Sequence, residues 1–438
     1  MRSEHRLVIV RRDAGHRFVR LEIDGALPRL DSEEHRSADV AELNRAVRES
    51  LGLEVSVLRC LADEAGDERR PRRHLYVMEA HGAHDVVPAG ARWISGDAAP
   101  FDRPDGADWT RAGWRDDVIT WVNGELVRLG ASPVTEIEQV RVWEFSQVLR
   151  LGTAHGTFYL KARPRAGAAE ASLTRALSLR HPRSLPQIVA VDIERGWLLM
   201  REAIGHELMR VKDPERWEEV AAITARIQID WLDGMEELMA LGCPRRPLAT
   251  LAAEVTPLLD DTDALQPPLP EGLSDAELAT LRRRRGELVE LCRELDASGV
   301  PDSLEHGDLW AANVIVADGG PVVLDWEDAC ITHPFITPSL LILSLDDAPP
   351  SIDRADLRHR IREAYLREWT ERGPLPGWSR RRVDAAFDLA QQIAMVHYAA
   401  LFRRGLPTIE TSREVRGFVP FFLRRLLGVP GCHPTAAN

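Results

Sequence analysis

The chain has few cysteines, and none is placed for redox chemistry or for clamping a metal through a CxxC pair. Five cysteines occur in 438 residues, an odd number at wide spacing. They are Cys60, Cys243, Cys292, Cys330 and Cys432. Small secreted domains use paired cysteines as a disulfide framework, so this pattern instead predicts a reducing, cytoplasmic compartment.

Long apolar runs are also absent from the sequence. The start, MRSEHRLVIVRRDAG, has only four consecutive apolar residues before charge returns, which is too short for the apolar region of a signal peptide. No stretch of about 18 apolar residues follows, so we expect no spanning helix and no membrane partner.

Lysine is nearly absent, and acidic residues outnumber basic ones. Only Lys161 and Lys212 are lysines, and 56 basic residues face 69 acidic ones, for a formal net charge of −13. A chain of this charge repels a polyphosphate. We therefore expect no nucleic-acid partner and a small substrate that is cationic or neutral. The hydrophobic fraction of 44% is ordinary for a folded protein with a core.

The residues that are present predict an α+β protein of about two or three modules, because 438 residues exceed one typical domain. Residues 1–100 alternate strand-like runs with one helix at 38–51 and are predicted to form a small α+β module. Residues 101–135 are predicted to be a linker and a helix. Short antiparallel strands with one helix are predicted for 136–205, and a mainly helical region for 206–430.

Helix signals in the last region are specific. Asp213 precedes a proline and is a predicted N-cap, and residues 274–277 form a capping box that opens a helix expected to reach Leu295. The acidic, proline-rich stretch 258–272 between them is predicted to be an exposed loop or a lid over a site. Two further helices are predicted beyond Asp353.

Two neighbouring stretches carry the residue types that phosphoryl transfer needs. They are EHGDLWAANV at 305–314 and VVLDWEDA at 322–329. The reaction needs a carboxylate that orients the attacking hydroxyl, and oxygen ligands for the divalent cations on the nucleotide phosphates. Asp308, Asn313 and Asp325 supply these groups, and a predicted hairpin brings Asp325 back beside the loop. The competing interpretation is that Asp308 and Asn313 only cap turns.

Lys161 ends the strand predicted at 157–161. An ammonium at a strand end can pair with nucleotide phosphates as a point charge, and Glu170 on the following helix can hold it in place through an ion pair. The alternatives are a solvated strand end for Lys161 and a surface position for Glu170.

These motifs resemble those of the aminoglycoside phosphotransferases and the choline-kinase-like small-molecule kinases over about residues 109–427. The resemblance implies the two-lobe protein-kinase-like fold, with a small antiparallel-sheet N-lobe at 136–205 and a helical C-lobe at 206–430. It also implies Mg²⁺ as the metal and ATP or GTP as the phosphoryl donor. The implied roles are catalytic base for Asp308, metal ligand for Asn313 and Asp325, phosphate binding for Lys161 with Glu170 as its partner, and bracing of the loop for His306.

The same resemblance gives less specific roles to four more residues. Glu202 and Ala203 fall where the family's interlobe hinge offers backbone groups to adenine, with an ordinary strand end as the alternative. Ser146 lies in the turn at 145–148 that takes the place of a glycine-rich phosphate loop. Glu327 either adds a contact near the metal or faces solvent.

The stretch RAVRESLGL at 45–53 resembles the end of a Nudix box, in which a helix presents several glutamates to Mg²⁺. Only Glu49 remains, because Ala46 and Ser50 occupy the other two positions. One carboxylate cannot replace three around a hard cation. Residues 1–100 are therefore predicted to be a Nudix-like domain without hydrolase activity, or an unrelated α+β module whose helix ends in this sequence.

Three functions are compatible with the sequence. The first is an ATP- or GTP-dependent phosphotransferase that acts on a hydroxyl of a small molecule such as an aminoglycoside, amino sugar, sugar or amino alcohol. The second is a non-catalytic nucleotide- or ligand-binding regulator, which has no need of a base such as Asp308. The third is a Nudix-type hydrolase, which the missing glutamates disfavour. We expect the first.

Overall fold

Strands dominate the first of the two units into which the chain folds, residues 1–168 together with 189–202. The second unit comprises residues 169–188 and 203–436. The predicted class, α+β with a sheet-rich N-terminal region and a helical C-terminal region, is confirmed. The computed structural model describes residues 2–12, 18–33, 38–64, 66, 70–82, 90–95, 107–143, 145–164, 169–267, 272–375, 377–405 and 413–428.

The first unit is built from two sheets and two helices within the described residues. Its strands are β1 (Arg2–Arg12), β2 (Phe18–Ile23), β3 (Arg29–Glu33), β4 (Glu54–Glu64), β5 (Arg72–His81), β6 (Ala91–Ser95), β7 (Glu136–Val142), β8 (Gln147–Thr153), β9 (Gly156–Ala162), β10 (Ile188–Asp192) and β11 (Trp197–Arg201). Its helices are α1 (Ala41–Leu51) and α2 (Trp114–Arg128). The bounds of β2, β10 and β11 are those predicted from the sequence. Most of the predicted linker, residues 96–106, lies outside the described residues.

One sheet has the order β4-β5-β1-β2-β6 with β3 beside β1, and the other has the order β10-β11-β9-β8-β7. Strand β1 runs parallel to β5 and antiparallel to β2 and β3. Its run Leu7, Val8, Ile9 and Val10 is buried on both faces, because a central strand covered on both sides needs apolar residues at every position.

The two sheets of this unit share one core. A single cluster of buried side chains extends from Leu7 on β1 through Val118 on α2 to Leu199 on β11. The buried carboxamide of Gln139 on β7 accepts a hydrogen bond from the Val57 backbone N–H of β4 at 2.7 Å and donates one to the Val57 carbonyl at 2.8 Å. It also accepts from the Asn44 amide of α1 at 3.0 Å. Residues of the predicted module 1–100 and of the predicted sheet segment are thus joined within this unit.

Helices dominate the second unit. They are α3 (Ala169–Arg180), α4 (Pro214–Asp230), α5 (Met235–Ala240), α6 (Leu248–Asp260), α7 (Thr262–Leu265), α8 (Asp275–Arg283), α9 (Arg285–Asp296), α10 (Pro338–Leu343), α11 (Arg354–Glu371), α12 (Arg380–Gly405) and α13 (Arg413–Leu426). Its strands are β12 (Gly205–Glu207), β13 (Ser303–Glu305), β14 (Val314–Ala317), β15 (Gly320–Val323) and β16 (Cys330–Thr332). None of the described helices is long and apolar enough to cross a bilayer.

The predicted helix caps are present. Asp213 accepts a hydrogen bond from the Glu215 backbone N–H at the start of α4. Ser274 and Glu277 form the reciprocal capping box of α8. Side-chain oxygens at these positions satisfy backbone N–H groups that have no partner within the helix.

Three predictions for this region are wrong. Residues 258–265 do not form an exposed loop, because Leu258, Leu259 and Leu265 are buried in α6 and α7, while residues 268–271 lie outside the described residues. The helix opened by the capping box breaks at Arg284 into α8 and α9. Within the described part of the chain, three helices rather than two follow Asp353. The proposed boundaries at residues 100, 135 and 205 stay predictions.

Candidate active site

Two loops of the second unit, each next to one of two paired strands, carry the predicted catalytic and metal-binding residues. The first loop, 306–310, follows β13, and the acidic turn 325–328 precedes β16. Strands β13 and β16 pair with Glu305 opposite Cys330. The segment between the two loops is the hairpin β14–β15, in which Val314 lies opposite Val323. The predicted hairpin therefore closes the sequence gap between the loops.

His306 joins the two loops directly. Its Nδ1 accepts a hydrogen bond from the Asp308 backbone N–H at 3.1 Å, and its Nε2 lies 2.9 Å from the Leu324 carbonyl oxygen. These two partners require the neutral imidazole with its proton on Nε2, because one nitrogen must accept and the other donate. The buried ring also packs against Trp326, with 4.4 Å between ring centroids.

Gly307 lets the backbones of the two loops come into contact. Its φ of +83° is in the left-handed region, and a Cβ at this position would lie 2.3 Å from the Asp328 carbonyl oxygen. Both the conformation and the space exclude any other residue. Asp325 also has a positive φ, of 66°, which is uncommon for a residue with a side chain.

Asn313 holds the carboxylate of Asp308. Its Nδ2 donates to Asp308 Oδ2 at 2.7 Å and to the Asp308 carbonyl oxygen at 2.9 Å. Both amide hydrogens are therefore directed at Asp308, and the Asn313 Oδ1 is the atom that remains as a cation ligand. The contact spans one short turn, since Asn313 ends the 3₁₀ turn Ala311–Asn313.

Negative charge is concentrated around the half-buried Asp308. Burial raises the pKa of Asp308 well above 3.8, and the neighbouring carboxylates of Asp325, Asp328 and Glu327 raise it further, while the Asn313 hydrogen bond opposes the rise. Like charges in a partly desolvated site disfavour ionisation. Such a group of carboxylates attracts a cation.

Glu170 contributes a further carboxylate to this part of the second unit. Its ligand oxygen and those of Asp325 and Glu327 all lie within 4.8 Å of one another, and Glu170 is buried. Together with Asn313 Oδ1 this is an oxygen-only donor set, which fits the preference of Mg²⁺. The sequence did not predict this position for Glu170, and its role as the partner of Lys161 stays a prediction.

The residues predicted to contact the nucleotide lie mostly in the first unit. Lys161 on β9 is only 6% exposed, so the alternative of a solvated strand end is wrong. Ser146 is buried in the turn between β7 and β8, where its carbonyl oxygen accepts from the Trp143 N–H at 2.8 Å. Glu202 accepts from the Tyr159 hydroxyl at 3.4 Å and lies 3.6 Å from Arg150 Nε. The chain passes from the first unit to the second between Glu202 and Ala203.

The sequence did not predict the buried side chains that pack beside the loop 306–310. Glu305 is fully buried, accepts from the Tyr398 hydroxyl at 3.2 Å, and lies beside Cys330 and His397. No local pattern connects these positions, because they come from two strands and a helix far apart in the chain. Only the pairing of β13 with β16, once known, indicates that Glu305 and Cys330 are neighbours.

The solved structures to which this chain is similar include three of low sequence identity. A choline/ethanolamine kinase family protein from Mesorhizobium loti is 15% identical, over 72% of this chain and 94% of that one, with a TM-score of 0.46. Choline kinase LicA from Streptococcus pneumoniae is 11% identical over 71% and 98%, with a TM-score of 0.47. An aminoglycoside phosphotransferase from Streptomyces rimosus is 18% identical over 63% and 98%, with a TM-score of 0.38. Similarity this low carries no inference about substrate.

Sequence similarity to a protein family is more direct. No curated protein matches the chain in sequence. The model of the phosphotransferase enzyme family (APH) matches residues 136–383, more than half of the 438 residues. This range includes both loops of the candidate site, and residues 1–100 lie outside it, so their Nudix-like character stays a prediction. The chain belongs to the phosphotransferase enzyme family.

Proposed function

We propose that this phosphotransferase uses Mg²⁺ and ATP or GTP to phosphorylate a hydroxyl of a small molecule that carries an amine or is uncharged. The observation that supports it best is the pair formed by Asp308 and Asn313 beside the acidic turn at Asp325. A carboxylate held at one oxygen by an amide, next to an oxygen-rich cation site, is what phosphoryl transfer to an alcohol requires.

Asp308 is the proposed catalytic base. Because Asn313 occupies Asp308 Oδ2, the other carboxylate oxygen is left to orient the acceptor hydroxyl and take its proton. The surrounding carboxylates that raise the pKa of Asp308 also increase its affinity for that proton. His306 keeps the loop in place through its hydrogen bonds to both loops.

Asn313 Oδ1 and the carboxylate of Asp325 are the proposed Mg²⁺ ligands, and Glu327 and Glu170 are close enough to Asp325 to support them. When bound, Mg²⁺ neutralises charge on the nucleotide phosphates. Binding of a cation also reduces the repulsion among the carboxylates, so nucleotide and metal are expected to bind together.

The nucleotide that donates the phosphoryl group is proposed to bind to residues of the first unit and to Ala203, the residue that follows it. Lys161 pairs with the phosphates as a compact positive charge, and the buried turn with Ser146 covers them. The backbone groups of Glu202 and Ala203 bind the base. The Glu202 side chain is engaged by Tyr159 and Arg150, and its backbone N–H donates to the Thr157 carbonyl oxygen at 3.1 Å. The Glu202 carbonyl oxygen is therefore the group proposed for this role.

The proposed acceptor class follows from charge. The net charge of −13 and the carboxylates around Asp308 favour a cationic or neutral substrate over an anionic one. Aminoglycosides, amino sugars, amino alcohols and neutral sugars all meet this condition.

The test is a coupled assay of nucleotide consumption with purified protein against a panel of these four classes. Each amine is paired with its N-acetylated form, and ATP and GTP are compared with and without chelation of Mg²⁺. We expect product formation with at least one amine or sugar, loss of turnover on chelation, and loss in Asp308→Asn. Nucleotide binding without phosphoryl transfer to any acceptor would contradict the proposal and favour the non-catalytic regulator.

A further inference from the structure

A second cluster of potential metal ligands lies buried beneath the catalytic loop. Glu305, Cys330 and His397 offer an oxygen, a sulfur and a nitrogen that all lie within 4.8 Å of one another. Glu305 and Cys330 are 0% exposed, and His397 is 4% exposed. Cys330 Sγ lies 3.6 Å from Glu305 Oε2, and His397 Nε2 lies 3.7 Å from the same oxygen.

His397 presents an unsatisfied nitrogen to this cluster. Within the described residues its Nε2 has no hydrogen-bond partner, because 3.7 Å to Glu305 Oε2 is too long for a hydrogen bond. A buried polar atom without a partner is costly and rare in folded proteins. A cation between the imidazole, the carboxylate and the thiol would satisfy it.

The donor set distinguishes this cluster from the acidic turn. Thiolate, imidazole and carboxylate together are the ligands of Zn²⁺, whereas Mg²⁺ takes oxygen ligands only. With zinc–ligand bonds of about 2.0–2.3 Å, tetrahedral geometry separates neighbouring ligand atoms by roughly 3.3–3.6 Å. The two measured separations from Glu305 Oε2, 3.6 and 3.7 Å, are close to that range.

The surroundings orient the three donors. The Tyr398 hydroxyl donates to Glu305 Oε1 at 3.2 Å, which leaves Oε2 directed at the cysteine and the histidine. Hydrogen bonds of this kind to a ligand are typical of metal sites in proteins. Cys243, also buried, lies outside this set of donors, because its Sγ is directed at the Ala329 carbonyl oxygen at 3.7 Å.

We propose that Glu305, Cys330 and His397 bind a structural zinc ion. Zinc binding forms a bond to the Cys330 sulfur and releases its proton to solvent. Because the thiol must lose its proton to bind the ion, zinc affinity increases with pH. The ion stabilises the fold and takes no part in phosphoryl transfer.

The position of the cluster gives the ion a specific structural task. Glu305 ends β13 and Cys330 begins β16, and the two residues face each other in the ladder. The chain between them carries both loops of the candidate active site. A zinc ion at this point ties the two ends of that segment to each other and to α12, which contributes His397.

Metal analysis of the full chain tests the proposal. Protein produced in zinc-supplemented medium, then dialysed against a weak chelator, is expected to retain about one zinc per chain. Protein loaded with Co²⁺ instead is expected to absorb in the near ultraviolet through thiolate-to-cobalt charge transfer. Cys330→Ser and His397→Gln are expected to lower the metal content at least tenfold.

Matched variants distinguish zinc binding at this cluster from binding elsewhere in the chain. Cys292→Ser removes a different buried cysteine, on α9, and is expected to leave the metal content unchanged. Asp325→Asn is expected to impair phosphoryl transfer and retain zinc, so failure of the proposed function and failure of this proposal give different results. Wild-type protein that holds less than a tenth of a zinc per chain, or a cobalt spectrum without a thiolate band, would overturn the proposal. These two wild-type measurements decide the matter even if the substituted chains fail to fold.

Discussion

Glu305 and Asp308, two carboxylates in the same short stretch, respond to their surroundings in opposite ways. Glu305 is the more buried, and burial alone would raise its pKa, yet the His397 imidazole and the Gly307 backbone N–H lower it. Asp308 is only half-buried, and burial and the neighbouring carboxylates raise its pKa. The groups that face a carboxylate, and not its depth alone, therefore decide the direction of the shift.

This difference assigns the two residues to different tasks. Glu305 accepts hydrogen bonds from the Tyr398 hydroxyl and the Gly307 backbone N–H, and its ionised form contributes to the stability of the fold. Asp308 is ionised at a cost in stability, as expected for a group retained for chemistry rather than for folding. Substitution of one and of the other should then change different measured quantities.

The largest expected effect is that of Asp308→Asn on turnover. We expect kcat to fall about 100- to 10,000-fold, because no group remains to take the proton of the acceptor hydroxyl. The melting temperature should stay the same or rise, since one of several repelling carboxylates is removed. Steady-state kinetics and thermal unfolding measure the two quantities. Asp318→Asn, at an exposed position in the β14–β15 turn, serves as the control, and turnover that survives in the Asp308 variant would rule out the assigned role.

The converse change, Glu305→Gln, should act on stability. We expect unfolding free energy to fall by about 1–3 kcal/mol, because a buried group is left with mismatched partners. Urea denaturation followed by circular dichroism measures this, with Glu294→Gln at an exposed position of α9 as the control. An unfolding midpoint equal to that of the unsubstituted chain would show that Glu305 does not stabilise the fold, and would contradict the different tasks assigned to Glu305 and Asp308.

A smaller effect is expected at His306, which lies between the two carboxylates in sequence. In His306→Asn the amide oxygen can still accept from the Asp308 N–H, but the hydrogen bond to the Leu324 carbonyl oxygen is lost. One net hydrogen bond corresponds to about 1 kcal/mol of unfolding free energy. The same denaturation experiment measures the change, and His359→Asn, an exposed histidine on α11, is the reference. Equal losses in both variants would mean that the bridge between the loops contributes nothing.

The finest test is the pH dependence of these stabilities. The pKa of Asp308 is raised above 3.8, so its contribution to stability is present below that pH and is lost as pH rises through the raised value. The melting temperature of Asp308→Asn should then exceed that of the unsubstituted chain by an amount that grows with pH. The pKa of Glu305 is lowered below 4.5, so the deficit of Glu305→Gln should be full above pH 4.5 and shrink on acidification. Melting temperatures over a pH series measure both trends, and parallel curves for the two variants would contradict the assigned directions.

The sequence predicted the local parts of the candidate site. Asp308 and Asn313 are one short turn apart, so their spacing alone indicated that they could meet. The hairpin prediction brought Asp325 to the same place because both of its strands are apolar and short. The contact of Glu170 with Asp325 and Glu327 could not be predicted, since it depends on how α3 packs within the second unit.

The fold was predictable where apolar patterns were strong and of one kind. Strands β2, β10 and β11 were located from their short, strand-like apolar runs. The stretch 258–272 was misjudged because its acidic residues and prolines indicated a loop, whereas the buried Leu258, Leu259 and Leu265 hold its first part, 258–265, in helices. Tertiary burial outweighed local composition there.

The Gln139 carboxamide, bonded to both backbone groups of Val57, also determines where the protein can be divided. A cut at residue 100 would remove three hydrogen bonds from that carboxamide and would divide the single cluster of buried apolar side chains that includes Leu7 and Leu199. Residues 136–383, which match the phosphotransferase family, are therefore not expected to fold when they are separated from the first hundred residues. Any chimera or truncation that keeps the chemistry of this segment must take the first hundred residues along, because they form part of its interior.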